Sequence, residues 1–175
     1  MKKFITTAGV TVIIVAVILN LVGCSSSTNT KTTTPSATIT SIKTNTVPGN
    51  PWAWGSNASG VLGIGTSTDT NVPVQVSNLT GVISVAAGQN STMALKSDGT
   101  VWAWGNNGLG ELGNGTTTSS NVPVQVSNLT GVTAIAAGQT HSMALKSDGT
   151  VWTWGDNTYG ELGNSRTTRV SLPFS

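Results

Sequence analysis

Short runs of apolar residues, each broken by glycine, asparagine or aspartate, recur along most of this chain. Val132-Thr-Ala-Ile-Ala-Ala137 is a run of small residues ended by Gly138. Ser142-Met-Ala-Leu-Lys146 sets apolar side chains between polar ends, and Asp148-Gly149 is the signal of a two-residue type I′ hairpin. Thr150-Val-Trp-Thr-Trp154 predicts the returning strand. A Gly-rich turn and a Thr-rich loop follow, and the fourth strand is clearest at Val122-Pro-Val-Gln-Val126. Pro123 has no amide hydrogen to give to a ladder, so that strand belongs at a sheet edge. Each unit therefore predicts four short antiparallel strands, and the chain predicts an all-β fold.

The unit repeats. Lys96 to Gly105 returns almost unchanged at Lys146 to Gly155, and its second half stands at Trp52 to Gly55. Asn71 to Val82 matches Asn121 to Val132 letter for letter. All six tryptophans fall into the pairs Trp52/Trp54, Trp102/Trp104 and Trp152/Trp154. A period of this length points to a solenoid or a propeller. Four antiparallel strands with the smallest side chains on the first describe a propeller blade, whose first strand lines a crowded centre. The two tryptophans of a pair share one face of their strand by the period of two. Packing between neighbouring blades is the role expected of them.

Several spaced motifs follow one another in order: Trp-Gly-x-Asn-x-x-Gly-x-Leu-Gly (Trp104 to Gly113, Trp154 to Gly163), Pro-x-x-Val (Pro123 to Val126), Ala-Ala-Gly-x-x-His-Ser-x-Ala-Leu (Ala136 to Leu145) and Asp-Gly-x-Val-x-x-Trp-Gly (Asp148 to Gly155). This series resembles the regulator of chromosome condensation (alpha-tubulin suppressor-like) repeat over 51–175, in copies that start near 51, 101 and 151, the third incomplete. The first copy departs modestly, with Ser91 in place of the histidine and Val61 where Glu111 and Glu161 stand. The resemblance implies a seven-bladed β-propeller. Seven blades at this period need about 350 residues. The chain supplies about two and a half: outer strands near 52–54 and 72–76, a full blade over 82–126, and a third ending at 171–175. An incomplete ring, and a C-terminally truncated product, are the expectation. Trp52, Trp54, Gly55, Trp102, Trp104, Gly105, Trp152, Trp154, Gly155, Asp98, Gly99, Asp148, Gly149 and His141 are then structural residues of the repeat, with His141 bonding backbone at a strand start.

The N-terminus has another character. Met1-Lys2-Lys3 precedes a largely apolar stretch from Phe4 to Val22, the plan of a signal peptide. It ends in Leu21-Val22-Gly23-Cys24, which resembles the lipobox of bacterial lipoproteins. That resemblance implies cleavage after residue 23 and acylation of Cys24, with two or three acyl chains, enough for firm anchoring. Residues 24–50, rich in Ser and Thr with Pro35 and Pro48, read as a flexible tether. The alternative is an uncleaved N-terminal transmembrane anchor. Both place the remainder outside the cytoplasm, in the cell envelope, with the membrane as a partner through the anchor.

Charge and chemistry narrow the function. The formal net charge is +2, but Lys2 and Lys3 lie in the leader. Past it, Lys31, Lys43, Lys96, Lys146, Arg166 and Arg169 balance Asp69, Asp98, Glu111, Asp148, Asp156 and Glu161. A neutral mature chain lacks the basic stripe of a nucleic-acid binder. Cys24 is the sole cysteine and His141 the sole histidine, so neither a nucleophile with its base nor a metal-ligand spacing is offered. Asp98 and Asp148 sit in Asp-Gly turns. The glycines near 105–115 are followed by no Gly-Lys-Ser/Thr and are no phosphate loop. Neither an enzyme nor a cofactor is expected. The expected function is a lipid-anchored protein-binding or scaffold module. An alternative is carbohydrate or cell-wall binding, with Tyr159, on a loop, as the candidate glycan contact. Nucleotide exchange on a GTPase is implied only by analogy with the eukaryotic founder of the repeat family, and no residue here supports it.

Overall fold

The computed structural model describes residues 15–17 and 48–175. The lipobox with Cys24, most of the leader and nearly all of the tether lie outside them. Eleven strands run through the described residues: β1 (Val15–Val17), β2 (Pro51–Gly55), β3 (Thr70–Gln75), β4 (Val82–Ala87), β5 (Ser91–Lys96), β6 (Val101–Gly105), β7 (Ser120–Gln125), β8 (Val132–Ala137), β9 (His141–Lys146), β10 (Val151–Gly155) and β11 (Val170–Phe174). No described residue is helical.

The strands form three antiparallel sheets, each one blade. The second blade has the order β4-β5-β6-β7, and the third β8-β9-β10-β11. The first has β1-β2-β3. In the two full blades the small-residue strand stands at one edge and the proline strand at the other, as Pro123 and Pro173 require. The register repeats: Ala94 faces Trp102 and Met93 faces Ala103 in the second blade, as Ala144 faces Trp152 and Met143 faces Thr153 in the third. In the first blade β1, which lies in the apolar leader, pairs with β2, with Val15 opposite Ala53 and Ala16 opposite Trp52; cleavage before Cys24 would take this strand away.

The core lies between the blades. One cluster joins Ala53, Leu62 and Val76 of the first blade to Ala94 and Trp104 of the second. The other joins Met93, Leu95, Val101 and Leu112 of the second to Ala144 and Trp154 of the third. Each blade is thus apolar on both faces and is buried by its neighbours, which is why such repeats are stable only when stacked.

The hairpin turn differs from the type I′ expectation. The Gly99 and Gly149 amides donate to the carbonyls of Lys96 and Lys146 at 3.0 Å. Gly99 and Gly149 have φ of 77° and 85°, while Asp98 and Asp148 are absent from the positive-φ residues. A type I′ turn needs positive φ at both central residues. The turn here is a type I turn closed by a left-handed glycine, which makes a three-residue loop. Aspartate tolerates the right-handed position because its carboxylate accepts from the Thr100 or Thr150 amide at 3.0 Å.

Candidate functional site

The repeated tryptophans differ in depth. Trp104 and Trp154 are fully buried. The Trp104 indole donates to the Val61 carbonyl of the preceding blade at 2.7 Å, and Trp154 donates to that of Glu111 at 2.8 Å. Each indole lies flat on a glycine of the preceding blade: a Cβ on Gly63 would stand 2.7 Å from Trp104 Nε1, and one on Gly113 would stand 2.6 Å from Trp154 Nε1. Glycine is needed there for close approach and for its positive φ. The same carbonyls also accept from Thr92 and Ser142, at 2.9 and 3.0 Å. Because the backbone carbonyl makes the joint, Val61 can replace Glu without loss of it. Trp102 and Trp152 are half-buried. Their outer faces carry Lys96 and Lys146, with Nζ 5.8 and 5.3 Å from the ring centroids.

Asp98 and Asp148 are turn residues. The Thr100 hydroxyl and then its amide hold the Asp98 carboxyl below the ordinary carboxylate value; burial opposes them, and Lys96 adds a lesser lowering effect. Thr150 and Lys146 do the same for Asp148. The Asp156 carboxyl is lowered first by the Thr158 hydroxyl, which it holds at 2.7 Å. None of these carboxylates is paired with a second acid, and among the described residues no group of three potential metal ligands comes together.

His141 opens β9 with its ring against Gly138, so close that a Cβ there would overlap it. Its carbonyl, rather than its imidazole, makes the strand-start hydrogen bond, accepting from the Gly138 amide at 2.8 Å. Ser91 does the same with Gly88, so the first copy lacks nothing at that position.

One repeated residue had no role assigned from sequence. Asn57, Asn107 and Asn157 are wholly buried. The Asn107 amide donates to the carbonyls of Thr116 and Thr118 at 3.1 and 3.0 Å and accepts from the Leu112 amide at 2.9 Å. Asn157 holds Arg166, Thr168 and Leu162 in the same way. A buried side chain thus pins the Thr-rich loop of each blade. Its recurrence in Trp-Gly-x-Asn was the available signal.

Tyr159 is 90% exposed at the tip of the β10–β11 loop. Its amide is fixed by the Glu161 carboxylate at 2.9 Å, as Leu109 is by Glu111. Ser59 and Leu109 hold the same place in the other copies. In the second and third blades a glutamate carboxylate thus mounts two different tip residues, while the first copy, with Val61, lacks that carboxylate. Tyr159 follows the Asp156–Thr158 turn, five residues after the buried Trp154, and is exposed where Trp154 is wholly covered.

The profile of the regulator of chromosome condensation (RCC1) repeat matches residues 48–95, 98–145 and 148–175. The chain belongs to the RCC1 repeat family. A second RCC1 repeat profile matches 82–111 and 132–161. Among solved structures, human WBSCR16 is similar at 22% identity over 71% of this chain and 34% of that one, with a TM-score of 0.63. Prp20p of Saccharomyces cerevisiae, described with its binding to Gsp1p and histones, is similar at 22% identity over 71% and 33%, TM-score 0.64. Yeast RCC1 (Prp20) bound to Kap60 gives 21%, 71% and 32%, TM-score 0.64. These likenesses establish the propeller fold of the blades. The chain spans about a third of the length of those structures. No curated protein matches it.

Proposed function

We propose that this chain is a non-enzymatic protein-binding module, exported and held to the cell envelope through Cys24. The observation that carries the binding role is the division of labour within each RCC1 repeat. Asn, Trp and Gly of the repeated motif are consumed in holding the blade, while the loop tip differs from blade to blade (Ser59, Leu109, Tyr159), and Tyr159 is both exposed and held at its amide by Glu161. Such tips are suited to recognition and leave the fold unaffected when they vary. That Prp20p is described with protein partners agrees with a binding role for the family.

The lipobox-like Leu21-Val22-Gly23-Cys24 supports the anchor. Growth of the expressing bacterium with a labelled fatty acid is expected to label the full chain, and Cys24→Ser to remove the label. For the binding role, cross-linking on intact cells is expected to join the full chain to a protein, with capture reduced by Tyr159→Ala while the fold is kept. Retained capture in that variant would remove Tyr159 from the contact.

A glycan reading rests on the exposure of the Tyr159 ring, since an open aromatic face can stack on a sugar. It predicts binding of the full chain to cell-wall polysaccharide that is lost in the same variant.

A further inference from the structure

The two joints between blades share their Trp-on-Gly seat but differ in the cleft beside it. Between the first and second blades an open cleft of about 500 Å³ is lined by Ser59 and Ser67 of one and Asn106, Ser119, Ser120 and Asn121 of the other. Its one apolar side chain is the methyl of Ala58, and no charged residue lines it. The matched positions at the second joint, 50 residues on, are Leu109, Thr117, Asp156, Arg169, Val170 and Ser171. Arg169 crosses that joint, its guanidinium donating to the Gly108 carbonyl at 3.2 Å. At the first joint the matched pair is Ser119 and Ala58, and a serine is too short to span the cleft. The polar groups there are held in place with bonding capacity left over. Asn106 Oδ1 accepts from the Gly108 amide at 2.9 Å, and Asn121 Nδ2 donates to the Gly65 carbonyl at 3.0 Å. Both carboxamides are thereby oriented, and Asn106 Nδ2 is left as a donor and Asn121 Oδ1 as an acceptor. Ser119 Oγ accepts from the Asn107 amide at 3.1 Å and keeps its proton to give. Ser120 Oγ donates to the Val122 carbonyl at 2.7 Å and keeps a lone pair to accept with.

We propose that this cleft binds a neutral sugar ring of an oligosaccharide. A sugar presents adjacent hydroxyls, each both donor and acceptor, and fixed carboxamides beside serine hydroxyls meet both capacities. An anionic ligand finds no cation among the lining residues, and a peptide side chain finds no apolar pocket beyond the Ala58 methyl. The volume falls in the range of small-molecule sites. The site shares only its class of ligand with the glycan reading of Tyr159, which does not line the cleft, and does not depend on that reading.

The test places the full chain, in mild detergent, on an array of neutral oligosaccharides of glucose, galactose, mannose and N-acetylglucosamine, with uronic-acid oligosaccharides beside them. Binding is expected on neutral members of the array and to be absent from the acidic ones. Ser119→Arg and Asn106→Asp each put into the first joint the residue that the third blade carries at that position, so both variants are expected to fold, as urea unfolding verifies. Each is expected to weaken binding about tenfold or more, the first by filling the cleft and the second by removing the amide donor and leaving a sugar hydroxyl unpaired. Tyr159→Ala separates the two glycan readings. Loss of binding in Tyr159→Ala with both cleft variants unchanged would place the sugar at the loop aromatic and overturn the cleft. An array on which no neutral oligosaccharide binds would overturn it too. So would binding that survives in folded Ser119→Arg and Asn106→Asp, whatever Tyr159→Ala does.

Discussion

The second and third blades share their letters but differ in what surrounds them. Leu95 and Leu145 occupy one position of the repeat, as do Val101 and Val151. Leu95 is 1% exposed and Leu145 39%, and Val101 is 0% against 48% for Val151. Gly113 carries the Trp154 indole, whereas Gly163 carries nothing. Burial in this fold is therefore given by the next blade and is absent from the residue's own sheet. What a blade supplies by itself is the Asn-pinned loop and the hairpin, and these are the same in both blades.

Substitutions at matched positions separate the two kinds of interaction. The largest difference is expected at the tryptophans. Trp154→Ala removes a fully buried indole and its bond to Glu111, a loss of about 3–5 kcal/mol in urea unfolding. Trp54→Ala removes a half-buried one and is expected to lose about 1–2 kcal/mol. Equal losses would show that the first joint is closed by something outside the described residues.

The glycines come next. Gly113→Ala forces a methyl into the Trp154 ring at a positive φ and is expected to lose about 3 kcal/mol. Gly163→Ala meets open space at a similar φ of 69°. It is expected to lose about 1 kcal/mol.

The asparagines sharpen the comparison from the other side. Asn107→Ala and Asn157→Ala each strip partners from buried backbone groups within one blade, a loss of about 2–3 kcal/mol. Because no neighbouring blade takes part, the two losses are expected to agree closely. A much smaller loss for Asn157 would mean that the third blade is frayed throughout.

The smallest effect is that of pH. Asp98 and Asp148 have carboxyls lowered by folding. Their contribution is fully present above the unfolded carboxylate value. It is lost as pH falls through the lower folded value, below about pH 4. Both turns are exposed, so Asp98→Asn and Asp148→Asn are expected to flatten that acid limb by a small and similar amount, seen as a change in slope of unfolding midpoint against pH.

The blade was legible in sequence because its determinants are local. The Asp-Gly turn, the Trp-x-Trp period and the edge prolines fix four strands without reference to anything distant. The turn class was missed because Asp-Gly serves both type I′ and type I with a left-handed glycine, and the hydrogen bond from Thr100 selects the second. The role of Asn107 was missed because its partners, Thr116 and Thr118, are carbonyls, which carry no letter. The unequal burial of Leu95 and Leu145 could not be read from their own repeats, since the letters around them are the same. The proposed Tyr159 contact was legible as a loop aromatic, while its mounting on Glu161 required the turn geometry.

Burial in this fold comes from the neighbouring blade, and hydrogen exchange of the full chain in detergent tests this most directly. Amides of β5 and β6, whose side chains Leu95 and Val101 are covered, are expected to exchange more slowly than those of β9 and β10, where Leu145 and Val151 are exposed. Equal protection in the matched strands would contradict that origin of burial.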